Sequence, residues 1–155
     1  MDAAWSPTSK QGGIGLVVRD NMGSFILAMA IPCMANSAQE AEAMVAVEAC
    51  SLALEHGFKL VQFESDCLEL VRGINGNISH GRWELYPFLC RIRDQLGHPN
   101  FEFSSWTWCP RSANVVADHI ANLARVKMSK ETWVRRPPSS LMHILNKDSL
   151  PSPHP

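Results

Sequence analysis

Two runs near the start of the chain, Gly13–Val18 and Ser24–Ala30, are rich in β-branched and apolar residues. The separator between them, Arg19-Asp20-Asn21-Met22-Gly23, has the composition of a hairpin turn, since Asn21 and Gly23 tolerate positive φ. Ser37-Ala38-Gln39-Glu40 is a capping-box pattern and predicts a helix running to about His56, with Gly57 as its stop. Leu60–Glu64 predicts a short buried strand, and Asp66–Gly73 a short helix ended by an Asn75-Gly76-Asn77 turn. Tyr86–Leu96 reads as a further helix, Phe101–Trp108 as a strand, and Val115 to about Val126 as the last long helix. Beyond Trp133 the pattern dissolves, and Pro151, Pro153 and Pro155 mark a frayed end. Strands first, then alternating helices and strands, point to an α/β layer fold with a mixed sheet. The boundaries drawn are a domain over residues 1–126 and a basic, then Pro-rich tail over 127–155.

One polar residue breaks the pattern of the long helix. At about 100° per residue, Glu48, Ser51 and Glu55 fall on one stripe with Glu40, whereas Glu42 falls among Ala38, Val45, Ala46, Ala49 and Ala53. A carboxylate on the face that packs against a sheet is costly unless it is paired, protonated or bound to a cation. Alternatively, Glu42 bends out to solvent near the helix start, where the dipole favours it. Glu64-Ser65-Asp66 sits where a strand ends and a helix begins, a place where α/β folds put their sites. Asp66 there is either a site carboxylate or an N-cap. Asp118, on the polar side of the last helix with Asn114, Asn122 and Arg125, reads by itself as a solvated residue. Trp83 and Trp106 read as core or edge-packing aromatics rather than base-stacking platforms.

Composition narrows the classes. With 155 residues, 46% hydrophobic and 19% charged, the chain is expected to be one unit with a core of its own. There is no run of about 18 apolar residues, so no membrane association is expected. No basic, apolar, small-residue succession follows Met1, so no secretory signal is expected. Five scattered cysteines without a CxxC pair read as reduced thiols of an intracellular protein, in nucleus or cytoplasm, and not as a zinc site. The net charge of −1 lacks the basic surplus of a dedicated nucleic-acid binder. Local clustering is confined to Arg125, Lys127, Lys130, Arg135 and Arg136.

The order of the acidic residues joins these signals. Asp2-Ala3-Ala4-Trp5, Gly13-Ile14-Gly15-Leu16-Val17-Val18-Arg19-Asp20 and Ala41-Glu42-Ala43 are followed by Glu64-Ser65-Asp66-Cys67-Leu68-Glu69-Leu70-Val71. The set ends with Pro110-Arg111-Ser112-Ala113-Asn114-Val115-Val116-Ala117-Asp118. In that order the stretches resemble the ribonuclease H family, and most closely its type-1 domains in retroelement-derived proteins of plants. The resemblance implies a ribonuclease-H-like mixed five-stranded sheet with helices on both faces. It implies that Asp2, Glu42, Asp66 and Asp118 form a catalytic, metal-binding site for two Mg²⁺ ions, with Mn²⁺ as a substitute. In-line attack of water on a phosphodiester develops charge on two oxygens, and hard carboxylate ligands suit the ions that stabilise it. Gln39, Arg111 and Asn114 are the implied substrate-binding residues, and an RNA–DNA hybrid the implied partner of a monomeric protein.

Two departures from the family pattern matter. Relatives carry a histidine in the loop before the last aspartate, where this chain has Pro110-Arg111-Ser112-Ala113-Asn114; His119 points about 100° away from Asp118. The family's first aspartate lies on a central strand, and with Met1 one residue before Asp2 that first strand is expected to be largely missing. Two functions follow: a metal-dependent endonuclease that hydrolyses the RNA strand of RNA–DNA hybrids, or a truncated, catalytically weak module of the same fold that binds nucleic acid.

Overall fold

A computed structural model describes residues 1–76 and 83–148, with side chains as far as residue 145. The strands are β1 (Asp2–Trp5), β2 (Gln11–Arg19), β3 (Phe25–Met34), β4 (Leu60–Ser65), β5 (Phe103–Trp108) and β6 (Glu131–Val134). The helices are α1 (Ala38–Glu55), α2 (Leu68–Asn75), α3 (Tyr86–Leu96), α4 (Val115–Lys127) and α5 (Ser139–Asp148). The expected turn at Asn75-Gly76-Asn77 lies partly outside the described residues, and the Pro-rich end wholly so.

Local chemistry accounts for these elements. In the β2–β3 hairpin Gly23 takes φ 80° while the Asp20 carboxylate accepts from the Met22 and Ser24 amides at 2.9 and 2.8 Å. The capping box starts α1 as expected: Ser37 Oγ accepts from the Glu40 amide at 3.1 Å. The Glu40 carboxylate reaches back to the Asn36 amide at 2.8 Å, one residue further than the standard box. Gly57, at φ 67°, releases the chain from α1.

The architecture is a mixed α/β fold with helices on both faces. Period-two alternation in β2 and β3 sorts the side chains: Ile14, Leu16, Leu27 and Met29 join the core under α1, α2 and α3. Ala28 and Ala30 face the other way, onto Val116, Ile120 and Ala124 of α4 and Leu141 and Leu145 of α5. On that second face β2 carries Gly13 and Gly15. A Cβ at Gly13 would lie 2.1 Å from the Ala121 carbonyl oxygen, and one at Gly15 2.1 Å from that of Ala117. Hydrogen in place of a side chain therefore lets the backbones of β2 and α4 touch.

The sheet is in two parts. β1-β2-β3-β6 forms an antiparallel set of four, and β4-β5 a separate parallel pair. β1 pairs with β2 from Asp2↔Gly15 to Trp5↔Gly12, and the Met1 nitrogen donates to the Glu64 carbonyl of β4 at 3.1 Å. The Met1 bond links the β1 end of the first set to β4, while among the described residues no strand ladder joins the two sets. Residues 127–148, expected within the tail, hold two elements instead. β6 covers the edge of β3, with Leu27↔Val134 and Ala30↔Glu131 paired, and α5 closes the second core. Their apolar positions were too few and too interrupted to register as a period. Trp106 is buried and stacks on Phe63 at 4.6 Å, whereas Trp83 is 92% exposed and is no core residue.

Candidate active site

Three elements deliver three carboxylates to one place. Asp2 lies on β1 and is buried, Glu42 projects from the second turn of α1, and Asp66 follows the last residue of β4. One carboxylate oxygen from each lies within 4.8 Å of those from the other two. They line an open cleft of about 510 Å³ together with Gln39, Glu69, Arg111 and Asp118.

Each carboxylate has a different set of partners. Asp2 Oδ1 accepts from the Ala3 amide at 2.9 Å. Asp66 does not cap α2: the cap position is Cys67, and Ser65 Oγ, fully buried, accepts from the Cys67 amide at 3.1 Å. That leaves Asp66 Oδ1 to accept from Asn114 Nδ2 at 3.2 Å and Oδ2 to face Arg111 Nε at 3.5 Å. Glu42 does not bend out to solvent. Its Oε2 is buried with no hydrogen-bond partner among the described residues. An unpaired carboxylate oxygen at that depth costs free energy that a cation would recover.

The electrostatics follow from this packing. Burial, reinforced by the charges of Asp2 and Asp66, pushes Glu42 up to about 8. Burial and then the charge of Asp66 push Asp2 up to about 6. Hard oxygen donors, mutual repulsion and an orphaned buried oxygen together fit a site for divalent cations of the magnesium kind.

Of the other residues expected here, Asp118 lines the cleft from the first turns of α4 but lies outside the group of three. Its Oδ1 accepts from Asn122 Nδ2 at 3.1 Å, one helical turn on, and its charge contributes to the upward shift of Asp2. Gln39 and Arg111 line the cleft, the Arg111 side chain 93% exposed. Asn114 is not among the residues that line it; it is buried behind Asp66, whose Oδ1 it bonds. Reasoning on the sequence missed Ser65, whose buried hydroxyl accepts from the Cys67 amide just ahead of α2. A small hydroxyl residue directly before a strand-end aspartate was the available signal. It also missed Glu69, a further carboxylate on the rim.

Comparison with known proteins agrees with this geometry. A family model described as "Reverse transcriptase-like" matches residues 1–124. No curated protein sequence matches the chain. Among solved structures, ribonuclease H1 of the halophilic archaeon Halobacterium salinarum superposes with a TM-score of 0.74 at 21% identity, covering 83% of this chain and 95% of its own. LC11-RNase H1, in a crystal structure with an RNA/DNA hybrid, gives 0.73 at 21% identity, over 82% of this chain and 94% of its own. The N-terminal RNase H domain of a Mycobacterium tuberculosis protein gives 0.72 at 20% identity, over 81% and 90%. With its ordered carboxylates, its two-faced α/β layers and a match over 124 residues, the chain belongs to the reverse-transcriptase-like family and has the fold of a type-1 ribonuclease H.

Proposed function

We propose that the protein is a metal-dependent endonuclease that hydrolyses the RNA strand of RNA–DNA hybrids. The observation that carries this reading is the convergence of Asp2, Glu42 and Asp66, with a buried Glu42 oxygen that has no hydrogen-bond partner among the described residues. Asp2, Glu42 and Asp66, with Asp118 at the rim, are the residues that would hold Mg²⁺ or Mn²⁺. Such ions supply a water of lowered pKa and stabilise the charge that develops on the attacking and leaving oxygens. The protein's own part is to bring four acidic side chains, from β1, α1, the β4 end and α4, to the lining of one open cleft. Arg111 is a cation in the same lining and would meet a phosphate of the substrate backbone. Gln39, in the first turn of α1, offers an amide to the groove of the hybrid, whose wide minor face carries 2′-hydroxyls on one strand only. That LC11-RNase H1 was crystallised with an RNA/DNA hybrid supports the choice of substrate.

A second reading, a catalytically weak nucleic-acid-binding module, draws on the place of Asp118. Its carboxylate is held by Asn122 and lies outside the group of three. One assay separates the two. A labelled hybrid, the same RNA single-stranded and the same RNA in an RNA duplex are incubated with the protein in Mg²⁺ and in chelator. Cleavage confined to the hybrid and lost in chelator supports the nuclease. Binding of the hybrid without cleavage in Mg²⁺ and in Mn²⁺ supports the module. Equal cutting of single-stranded RNA, or cutting in chelator, contradicts both.

A further inference from the structure

Asn114 stands where three parts of the site meet, and both of its side-chain donors are spent there. Its side-chain nitrogen donates to the Met1 carbonyl at 2.9 Å and to Asp66 Oδ1 at 3.2 Å. Its side-chain oxygen accepts from the Met1 nitrogen at 3.4 Å, and its backbone carbonyl accepts from the Asp118 amide at 3.1 Å. A peptide carbonyl oxygen is an acceptor only, so the Met1 carbonyl must face the NH₂ end of the amide, which fixes the orientation of the group. The two N–H donors are then both used, and the residue is 6% exposed. No donor is left to offer a substrate. The side chain also makes no capping bond to α4, although Asn114 holds the cap position. What it bonds is the peptide that precedes Asp2 and the carboxylate of Asp66.

We propose that Asn114 is a positioning residue that sets the spacing of Asp2, Asp66 and Asp118 for cation binding, and not a contact to nucleic acid. It rests on the carboxylate site described above. One amide couples the β1 backbone to Asp66 and, through the first turn of α4, to Asp118. Aspartate of the same shape would replace the donor by an acceptor against Asp66. Alanine would leave both acceptors without a partner. Outer groups of this kind orient the ligands of metal sites, and their loss typically weakens metal affinity about 10–100-fold.

The test measures Mn²⁺ binding to the apo protein by calorimetry, with no substrate present, for wild type, Asn114→Ala, Asn114→Asp and Asn114→Ser. Ile92→Val, on α3, which lends no residue to the cleft, controls for loss of stability. Thermal melts establish that each variant is folded, and serine, which keeps one donor, serves if alanine does not fold. Mn²⁺ affinity about 10–100-fold weaker in the alanine and aspartate variants, with serine between them and wild type, is the expected result. Ile92→Val should bind Mn²⁺ as wild type does, and hybrid binding in chelator should be unchanged in all variants. Unchanged Mn²⁺ affinity in a folded Asn114 variant overturns the inference alone, as does hybrid affinity lost without any change in Mn²⁺ affinity. An equal loss in Ile92→Val overturns it too, by tracing the effect to stability. No Mn²⁺ uptake by the wild type overturns the metal site itself, and the inference with it.

Discussion

Glu42 is the residue at which stability and function pull apart. Its folded pKa, near 8, lies above the ordinary 4.5, and that of Asp2, near 6, above 3.8. The folded apo protein therefore binds more protons than the unfolded chain, and the sign of the linkage is fixed. The stability tied to Glu42 is fully present below about pH 4.5 and is lost as pH rises through about 8. Thermal melts without metal should show the midpoint of wild type falling over that window relative to Glu42→Gln. The same melts with 10 mM-scale Mg²⁺, on the order of a saturating excess, should restore wild type and leave the glutamine variant unmoved. Glu42→Gln should remove hybrid cleavage while the apo protein is as stable as wild type or more so, because one of three crowded charges is gone. A large drop in its apo midpoint at pH 8 would return Glu42 to a structural role.

At the scale of elements, the contact between β2 and α4 decides where Asp118 sits. Gly15 is the cross-strand partner of Asp2, and its missing Cβ would meet the Ala117 carbonyl at 2.1 Å. This oxygen and the Ala121 nitrogen, at 2.6 Å, are both backbone, so no rotamer change can relieve the clash, and α4 must move. Gly15→Ala should cost about 1–3 kcal/mol or more in denaturant unfolding. It should also lower cleavage beyond that, since Asp118 adjoins Ala117 and moves with it. Gly23→Ala is the fitting comparison: nothing lies within 4 Å of its Cβ, and only the positive φ opposes it. It should lose about 1–2 kcal/mol with cleavage unchanged. The C-terminal elements act differently. Leu141 is fully buried against α4 and the second face of the sheet. Leu141→Ala should destabilise the fold by about 2–5 kcal/mol, read from the same unfolding curves.

For the whole molecule, the distribution of charge matters more than its sum of −1. Lys127 pairs with Glu131 at 2.9 Å and stands nine residues along α4 from Asp118, about 14 Å at the helical rise. None of the basic residues at 125–136 is among those that line the cleft, whereas Arg111 is. Hybrid affinity measured against salt should lose about one unit of slope, near 0.7–0.9, in Arg111→Ala. Lys127→Ala should leave the slope unchanged. A flattened slope in the lysine variant would place the hybrid across the C-terminal end of α4 instead.

Much of this was legible in the chain itself. Tyr86–Leu96 is a helix over the residues its pattern predicts, and β2, β3, α1, β4, β5 and α4 lie within a few residues of their expected bounds, because each has a clean period and a local stop signal. The sequence also marked Glu42, since a carboxylate among alanines and valines on a helix is visible without coordinates. Other features depended on contacts between segments far apart in the chain. β1, β6 and α5 are too short or too interrupted to show a period, and they exist because an existing sheet edge and helix face accept them. That Asp66 leaves the cap position to Cys67 and instead faces Asn114 and Arg111 depended on those distant partners. The bond from the Asn114 amide to the Met1 carbonyl spans 113 residues of chain. Local periodicity is written into neighbouring residues, whereas the partner of a buried amide is fixed only when the chain closes on itself.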